Sequence, residues 1–245
     1  MSSISIARGQ NVVCSITNDD VPAAVTLHKV VTNDNGGTAT GSEFTLTLTP
    51  KAGGTAVING VDPEPTTTTT TLGAGISNSN VSAGTYVLGE TTTLTGYKAT
   101  SWSCTGGTLA GSELTVLNGA TVTCYVVNDD QPATVTLHKV LPNDNGGTAT
   151  GSQFTLTLTP KAGGTAVING VDPEPTTTTT ILGAGISNST VSAGVYIVAE
   201  SPTTTAGYTS AWTCTGGTLT GNELTVLNGA TVTCYVVNDD QRVAR

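Results

Sequence analysis

Basic residues are scarce in this chain, and so are long apolar runs. The 245 residues include only 8 Lys and Arg against 17 Asp and Glu, which leaves a formal net charge of −9. This balance argues against nucleic-acid backbones and anionic membrane surfaces as partners. No apolar run approaches membrane-spanning length, and Met1–Ser3 does not look like the start of a signal peptide. We therefore expect neither nucleic-acid binding nor membrane insertion in this fragment.

Histidine is almost absent as well. The two copies, His28 and His138, are expected to point outward from their strands, and neither belongs to a recognisable Ser-His-Asp or Cys-His arrangement. Turnover catalysis therefore finds no support, and we predict that the protein is not an enzyme.

A repeat with a period of 110 residues is the clearest feature that is present. Thr26–Val30 returns as Thr136–Val140, and Val126–Asp130 returns as Val236–Asp240. Because a period of this size is typical of one domain, the chain is expected to hold two. Residues 12–20 resemble the end of one unit. The predicted organisation is 1–20 for the C-terminal strands of a truncated preceding repeat, 21–130 for repeat 1, 131–240 for repeat 2 and 241–245 for a tail.

No convincing 3.6-residue amphipathic stretch occurs, and segments rich in Thr and Val alternate with a period of two between Asn-Gly and Gly-Gly turns. This pattern predicts an all-β fold, and seven or eight short strands per repeat are typical of an Ig-like β-sandwich. The short, proline-containing junctions predict a semi-rigid rod. In repeat 1 the predicted strands are 24–31, 43–49, 55–59, 66–72, 85–90, 97–104, 113–117 and 121–127.

Five cysteines form two equivalent pairs and one remainder once the repeat is applied. Cys104 with Cys124 and Cys214 with Cys234 share one spacing, whereas Cys14 corresponds to Cys124 and is unpaired in this sequence. Because no histidine lies near them, disulfides are favoured over zinc ligation, and disulfides indicate an oxidising, extracellular location. The alternative is that all five are reduced core cysteines.

Strand alternation directs three polar side chains of each repeat toward the core. Lys29 lies on the apolar face of the first strand, Glu90 on that of a middle strand and Asn128 on that of the last strand. A buried charged Lys and Glu would each cost several kcal/mol of desolvation, so they must be paired, neutralised or consumed by a reaction. The equivalent residues of repeat 2 are Lys139, Glu200 and Asn238.

A reaction among these three groups is chemically reasonable. Burial lowers the pKa of a lysine and raises that of a glutamic acid, which gives a neutral amine beside an acid that polarises the carboxamide. Attack of the amine with loss of ammonia would leave a Lys–Asn isopeptide bond. The alternatives are an unreacted buried salt bridge and a lysine turned outward.

Three segments of each repeat resemble the Cna B-type, SpaA-like prealbumin-like domains of bacterial surface proteins and pili. In repeat 1 they are Val25–Val30 with its inward lysine, Gly84–Glu90 followed by Gly-Tyr at 96–97, and the last strand ending in Asn128. The resemblance covers each repeat from end to end, and the glutamate segment is its most specific part. A proline that often follows this glutamate in the family occurs only in repeat 2, as Pro202.

The resemblance implies that the first-strand lysine bonds to the last-strand asparagine with the middle glutamate as catalyst. It also implies a structural stalk or spacer repeat of an adhesin or fibril on the bacterial cell surface, with adjacent repeats of the same protein as partners and no cofactor. Carried over by position, the catalytic residues are Glu90 and Glu200, and the crosslinks are Lys29–Asn128 and Lys139–Asn238.

Two weaker signals support a rival hypothesis, a binding module for a glycan, ice or a host ligand. Threonines at 66–71 and at alternate positions of 45–49 offer a flat hydroxyl face, although threonine is also a common solvent-facing strand residue. The loop Asn33–Gly37, together with Asp129 or Asp130, offers oxygen atoms that calcium prefers. Because Asn-Gly is also a strong hairpin signal, a plain turn is the favoured interpretation, and no metal ligand is predicted.

Overall fold

The computed structural model describes residues 4–203 and 205–242 of the chain. Residues 4–20 are exposed and contain no strand, and two β-sandwiches follow them in sequence. The first three residues of the predicted 1–20 segment and the last three of the predicted tail lie outside the described residues. In the described part of the chain, no helix is long and apolar enough to cross a membrane.

The first sandwich contains ten strands and one short 3-10 helix, Gly41–Glu43. The strands are β1 (Ala23–Thr32), β2 (Phe44–Pro50), β3 (Ile58–Gly60), β4 (Ile76–Val81), β5 (Gly84–Thr92), β6 (Tyr97–Ala99), β7 (Ser103–Thr105), β8 (Thr108–Ala110), β9 (Glu113–Val116) and β10 (Thr121–Asp130).

The second sandwich repeats this order, with its 3-10 helix at Gly151–Gln153. One continuous strand here replaces the two short strands β6 and β7. The strands are β11 (Ala133–Val140), β12 (Thr155–Pro160), β13 (Ile168–Gly170), β14 (Ile186–Val191), β15 (Gly194–Ser201), β16 (Tyr208–Thr215), β17 (Thr218–Thr220), β18 (Glu223–Val226) and β19 (Thr231–Asp240).

Each sandwich consists of two sheets, and the first and last strands of the module lie side by side in one of them. In the first module this sheet has the order β4-β1-β10-β6, with β7 also paired to β10, and the other sheet has the order β3-β2-β5-β9-β8. The second module has the orders β14-β11-β19-β16 and β13-β12-β15-β18-β17. The β1 and β10 strands are parallel, as are β11 and β19. We call the end of a module at which its two parallel strands begin the lower end, and the end at which they finish the upper end.

The core lies between the two sheets of each module, and the period-two pattern explains it. Along β1, Val25 and Leu27 are fully buried while Thr26 between them is half-buried, and β2 buries Leu46 and Leu48 in the same manner. Each fully buried side chain of this size contributes about 1.5–3 kcal/mol to folding. The alternation therefore supplies the apolar faces, and the all-β sandwich prediction is confirmed.

The predicted strand at 66–72 is wrong, and β4 and β8 were missed. Only Thr66 pairs with β1, through a single bridge to Val30, and the chain then bends away. The lower half of that β1 edge is already paired with β4, whose exposed outer side tolerates polar residues that hide its alternation. The threonine run therefore presents no strand surface of the kind that the rival binding hypothesis invoked.

His28 and His138 point away from the core as expected, but they are not exposed to solvent, because each is only 5% exposed. The turn that follows the threonine run covers each ring on the side of the sheet away from the core. A Cβ on Gly75, which has a φ of +67°, would lie 2.7 Å from the His28 ring, and Gly185 approaches His138 similarly. The covering turn comes from a distant part of the sequence, so strand alternation alone did not indicate it.

We expect mild acid to destabilise the folded protein through these two histidines. Burial holds the pKa of His28 and His138 below the ordinary value of 6.5, against the attraction of Asp62 and Asp172. Because the unfolded chain binds the protons more tightly, the stabilisation is complete above pH 6.5 and decreases as the pH falls through that value. Melting temperatures above and below pH 6.5 would measure the slope. The His28→Gln, His138→Gln double variant should flatten it, and an unchanged slope would contradict the assignment.

Candidate crosslinking site

The structure brings Lys29, Glu90 and Asn128 together inside the first module. Lys29 projects from β1 and Asn128 from its parallel neighbour β10, where Val31 lies opposite Asn128. Glu90 projects from β5 in the facing sheet. Lys29 is completely buried, Asn128 is 2% exposed, and the Glu90 side chain is 9% exposed. The inward alternation of three strands therefore converges on one point.

The glutamate of this cluster faces both nitrogen atoms. Lys29 Nζ donates to Asn128 Oδ1 at 2.7 Å and to Glu90 Oε2 at 3.4 Å. Asn128 Nδ2 donates to Glu90 Oε1 at 2.6 Å. One carboxyl oxygen is thus next to the amine and the other is next to the carboxamide nitrogen. A carboxyl group so placed can accept a proton from the amine and return one to the amide nitrogen.

Apolar surroundings make the Lys29 amine a better nucleophile. Its Nζ lies 4.4 Å from the centre of the Phe44 ring. Burial lowers the pKa of Lys29 to about 8 from the ordinary 10.5, although the Glu90 carboxylate opposes this shift. A lower pKa increases the fraction of the amine that is neutral at neutral pH. The site therefore supplies the reactive form of lysine without a separate strong base.

The second module assembles the same three residue types with different contacts. Lys139 Nζ lies 2.6 Å from Glu200 Oε1, a close ion pair without hydrogen-bond geometry. Asn238 Nδ2 donates to Glu200 Oε2 at 3.0 Å, and Ser210 Oγ donates to the same oxygen at 3.4 Å. Burial again lowers the pKa of the lysine. Asn238 Oδ1 has no hydrogen-bond partner among the described residues, so the amine faces Glu200 here and not the carboxamide oxygen.

A buried aspartate that the sequence interpretation missed holds the lysine strand in place. Asp62 is 2% exposed, and its Oδ2 accepts the backbone N–H of Lys29 at 2.7 Å. Its Oδ1 accepts the N–H of Glu64 at 2.9 Å, and Asp172 makes the same contact with Lys139. The Val-Asp-Pro-Glu-Pro motif that occurs in both repeats was the available signal.

Both disulfides attach the asparagine-bearing strand to its neighbour. The Cys104–Cys124 bond, with an S–S distance of 2.03 Å, joins β7 to β10, and the Cys214–Cys234 bond, at 2.01 Å, joins β16 to β19. Cys14 is exposed and free. Because β1 pairs with the other edge of β10, the last strand is held on both sides.

We expect the loss of one disulfide to lower the free energy of unfolding by about 3 kcal/mol, the chain-entropy value for a loop of this length. The Cys104→Ala, Cys124→Ala variant opens a loop with a sequence separation of 20. Chemical denaturation under non-reducing conditions measures the effect. Cys14→Ser is the control and should leave stability unchanged. Equal stability of the double variant and the wild type would contradict the expectation.

The acidic group around Asp130 stabilises a turn. Asp34, Asp129 and Asp130 place carboxylate oxygens within 4.8 Å of one another, and the second module repeats the group. However, the Asp130 carboxylate already accepts the backbone N–H groups of Asp34 at 2.9 Å, Asn35 at 3.0 Å and Gly37 at 2.6 Å. This carboxylate therefore closes the Asn33–Gly37 loop onto the end of β10, the role of a turn anchor.

The fold and the buried cluster together define a tandem pair of structural β-sandwich modules. The prealbumin-like fold domain of the SpaA type matches the chain twice, over residues 20–126 and 130–236. The chain belongs to this family, whose repeats are structural and not catalytic. No curated protein matches it.

Solved structures that resemble this chain include a major pilin and a pilus adhesin. The Bacillus anthracis TIE protein is 15% identical, with a TM-score of 0.46, over 91% of this chain and 35% of its own. The major pilin of Streptococcus pyogenes is 15% identical, with a TM-score of 0.36, over 91% of this chain and 100% of its own. The pilus adhesin SpaC of Lactobacillus rhamnosus GG is 14% identical, with a TM-score of 0.34, over 88% and 31%. This chain thus spans about a third of the TIE and SpaC structures.

Proposed function

We propose that the chain is part of a structural stalk of a bacterial cell-surface adhesin or fibril, and that each module closes itself with a Lys–Asn isopeptide bond. The main observation in support is the 2.7 Å contact between Lys29 Nζ and Asn128 Oδ1, with Glu90 next to both groups. Replacing a buried ion pair with apolar side chains is often neutral or stabilising, so packing alone gives no reason for this cluster. A reaction among the three side chains would give a reason for their burial. Family membership and two disulfides support an extracellular structural role.

The proposed reaction exchanges one amide for another and needs no cofactor. The neutral Lys29 amine attacks Cγ of Asn128, and the bond from Cγ to Nδ2 breaks. Glu90 accepts a proton from Nζ through Oε2 and delivers one to Nδ2 through Oε1, so that the leaving group is ammonia. Lys139, Glu200 and Asn238 perform the same exchange in the second module once the amine turns from the glutamate to the carboxamide.

The strand order suits a module that carries tension. The chain enters through β1 and leaves through β10, which are parallel neighbours, so a pull on the two ends loads them in shear. A bond from Lys29 to Asn128 passes the force from the first strand to the last without unfolding the residues between them. We propose the boundaries 21–130 and 131–240 for the two modules, 1–20 as the C-terminal segment of a truncated preceding module, although residues 4–20 form no strand in this structure, and 241–245 as a tail.

The mass of the intact, reduced chain tests the proposal. A deficit of one ammonia per module supports the covalent stalk, whereas the full mass calculated from the sequence contradicts it.

A further inference from the structure

The two modules meet through a small polar joint. Asn228 Nδ2, from a turn at the lower end of the second module, donates to Asp130 Oδ2 at 2.9 Å and to the Asn35 carbonyl oxygen at 3.3 Å. The backbone N–H of Ala193, from a neighbouring turn, donates to the same carbonyl at 2.7 Å. The carboxylate that anchors the loop of the first module therefore also binds the second module.

The linker takes part in this joint with its backbone. The N–H of Gln131 donates to the Gly96 carbonyl of the first module at 2.8 Å, and the Gln131 carbonyl accepts the N–H of Gly229 of the second module at 2.7 Å. Pro132 follows directly and restricts the next backbone dihedral. The backbone of this one residue is thus hydrogen-bonded to both modules, which restricts their movement relative to each other.

Two glycines permit the close approach of the modules. A Cβ on Gly36 would lie 2.3 Å from a backbone oxygen of the second module, and a Cβ on Gly96 would lie 2.2 Å from another. Their equivalents at the upper end of the second module, Gly146 and Gly207, have similar positive φ values, but no atom of the described residues lies within 4 Å of the added Cβ. The two copies therefore share the same backbone requirement and differ only in whether a neighbouring module is docked.

We propose that the joint is a repeatable docking interface and that the outer ends of this pair each bind a further module in the same geometry. The required residues are present at both ends. Asn145, Gly207 and Asp240 at the upper end correspond to Asn35, Gly96 and Asp130, and Asn145 and Asp240 form the same anchored loop. The lower end of the first module has Ala83, Asn118 and Gly119 where the docked end has Ala193, Asn228 and Gly229.

The occupant of each outer end is a module joined through the same chain. In the joint, Gln131 makes both linker contacts from a single position. At the outer ends two different residues make these two contacts. The Gln241 N–H donates to Gly207 O at 2.7 Å at the upper end, and Val21 O accepts the N–H of Gly119 at 2.7 Å at the lower end. Two separate molecules would bring both residues to the place that Gln131 fills alone. Covalent continuity also gives the small interface a high effective concentration.

Gly96→Ala tests the existing joint, and Gly207→Ala is its matched control. Both variants place a Cβ at a φ near +80°, but only the first meets the neighbouring module. With spin labels at Ser112→Cys and Asn222→Cys in a Cys14→Ser background, pulsed electron paramagnetic resonance measures the distance between the modules. We expect one narrow distance distribution in the parent and in Gly207→Ala, and loss of it in Gly96→Ala. Distance distributions of equal width in the Gly96→Ala and Gly207→Ala variants would overturn the proposal.

A chain extended by a second copy of residues 131–240 after Asp240 tests the outer end. In this extended chain the spin labels are placed at Asn222 and at its counterpart in the added module. Gly207→Ala should now lose the narrow distribution of distances between these two labels. If Gly207→Ala has no effect in the extended chain, the outer ends do not form this interface. Concentration-dependent association of the unextended chain through its outer ends would also overturn the proposal, because the occupant would then be a separate molecule. The experiment is independent of the isopeptide bond, since it holds for crosslinked and uncrosslinked modules alike.

Discussion

The intact chain, fully reduced, should weigh less than its sequence mass by two molecules of ammonia, one for each module. Each proposed bond removes one nitrogen and three hydrogens: the Asn128 or Asn238 carboxamide loses Nδ2 with its two hydrogens, and the neutral amine of Lys29 or Lys139 loses one. Neither disulfide contributes to the deficit after reduction. High-resolution mass spectrometry of the intact protein separates the three possible states, with zero, one or two bonds. The full calculated mass would contradict the proposed chemistry in both modules.

Single glutamate variants should restore the mass one module at a time. Glu90→Gln keeps the shape of the side chain but removes the proton transfer between the two nitrogens, so its chain should retain only the deficit of the second module. Glu200→Gln should retain only that of the first. The matched control is Glu113→Gln, because Glu113 pairs with Lys51 at 2.7 Å on the exposed surface, with no asparagine in the pair. The control should keep both deficits.

The same Glu90→Gln variant should also lose stability. The bond closes a loop with a sequence separation of 99, which in the chain-entropy picture constrains the unfolded state by about 4–5 kcal/mol. Denaturant titration should therefore show one module of the variant unfolding well before the other. A variant that has regained the mass of ammonia but unfolds at the wild-type midpoint would contradict the structural role of the bond.

Pulling on the ends of the molecule should produce the second large effect. The wild-type modules are expected to show no full unfolding step, because the covalent bond carries the force from β1 to β10. In Glu90→Gln the parallel strands separate in shear, and the residues between Lys29 and Asn128 become extensible, except those that the Cys104–Cys124 disulfide keeps closed. About 80 residues should be released, or about 280 Å at a maximal 3.6 Å per residue.

Single-molecule force spectroscopy measures this length directly. The second module of the same molecule is the internal control, since it should remain locked while the first one extends. Reduction of the disulfides should lengthen the step of the variant by the closed loop and leave the wild type unchanged. A wild-type step as long as that of the variant would show that the first and last strands are not covalently joined.

Local pattern explains why much of this protein was predictable. Side-chain direction in a strand depends only on a period of two, so the inward positions of Lys29 and Asn128 follow from the apolar residues beside them. The comparison of the two repeats then paired the cysteines that the structure joins. It also indicated the module length. The resemblance of three segments to the prealbumin-like family is confirmed by the family match.

Coverage by distant segments was not predictable in this way. The burial of His28, the pairing of β4 with β1 and the contact of Asp62 with the Lys29 backbone all depend on where a loop crosses the outer face or edge of the sheet. Alternation distinguishes the two faces of a strand but does not show what packs against the second face.

The sequence by itself therefore determined the repeat, the all-β class and the set of residues that face the core, because these depend on spacing along one strand. Only the tertiary structure decided which of the inward groups meet, at what distance, and how Asp130 comes to anchor a loop and bind the next module. The reason is physical: hydrogen bonds and reactions require contact within a few ångströms, and that contact depends on the register between strands far apart in sequence.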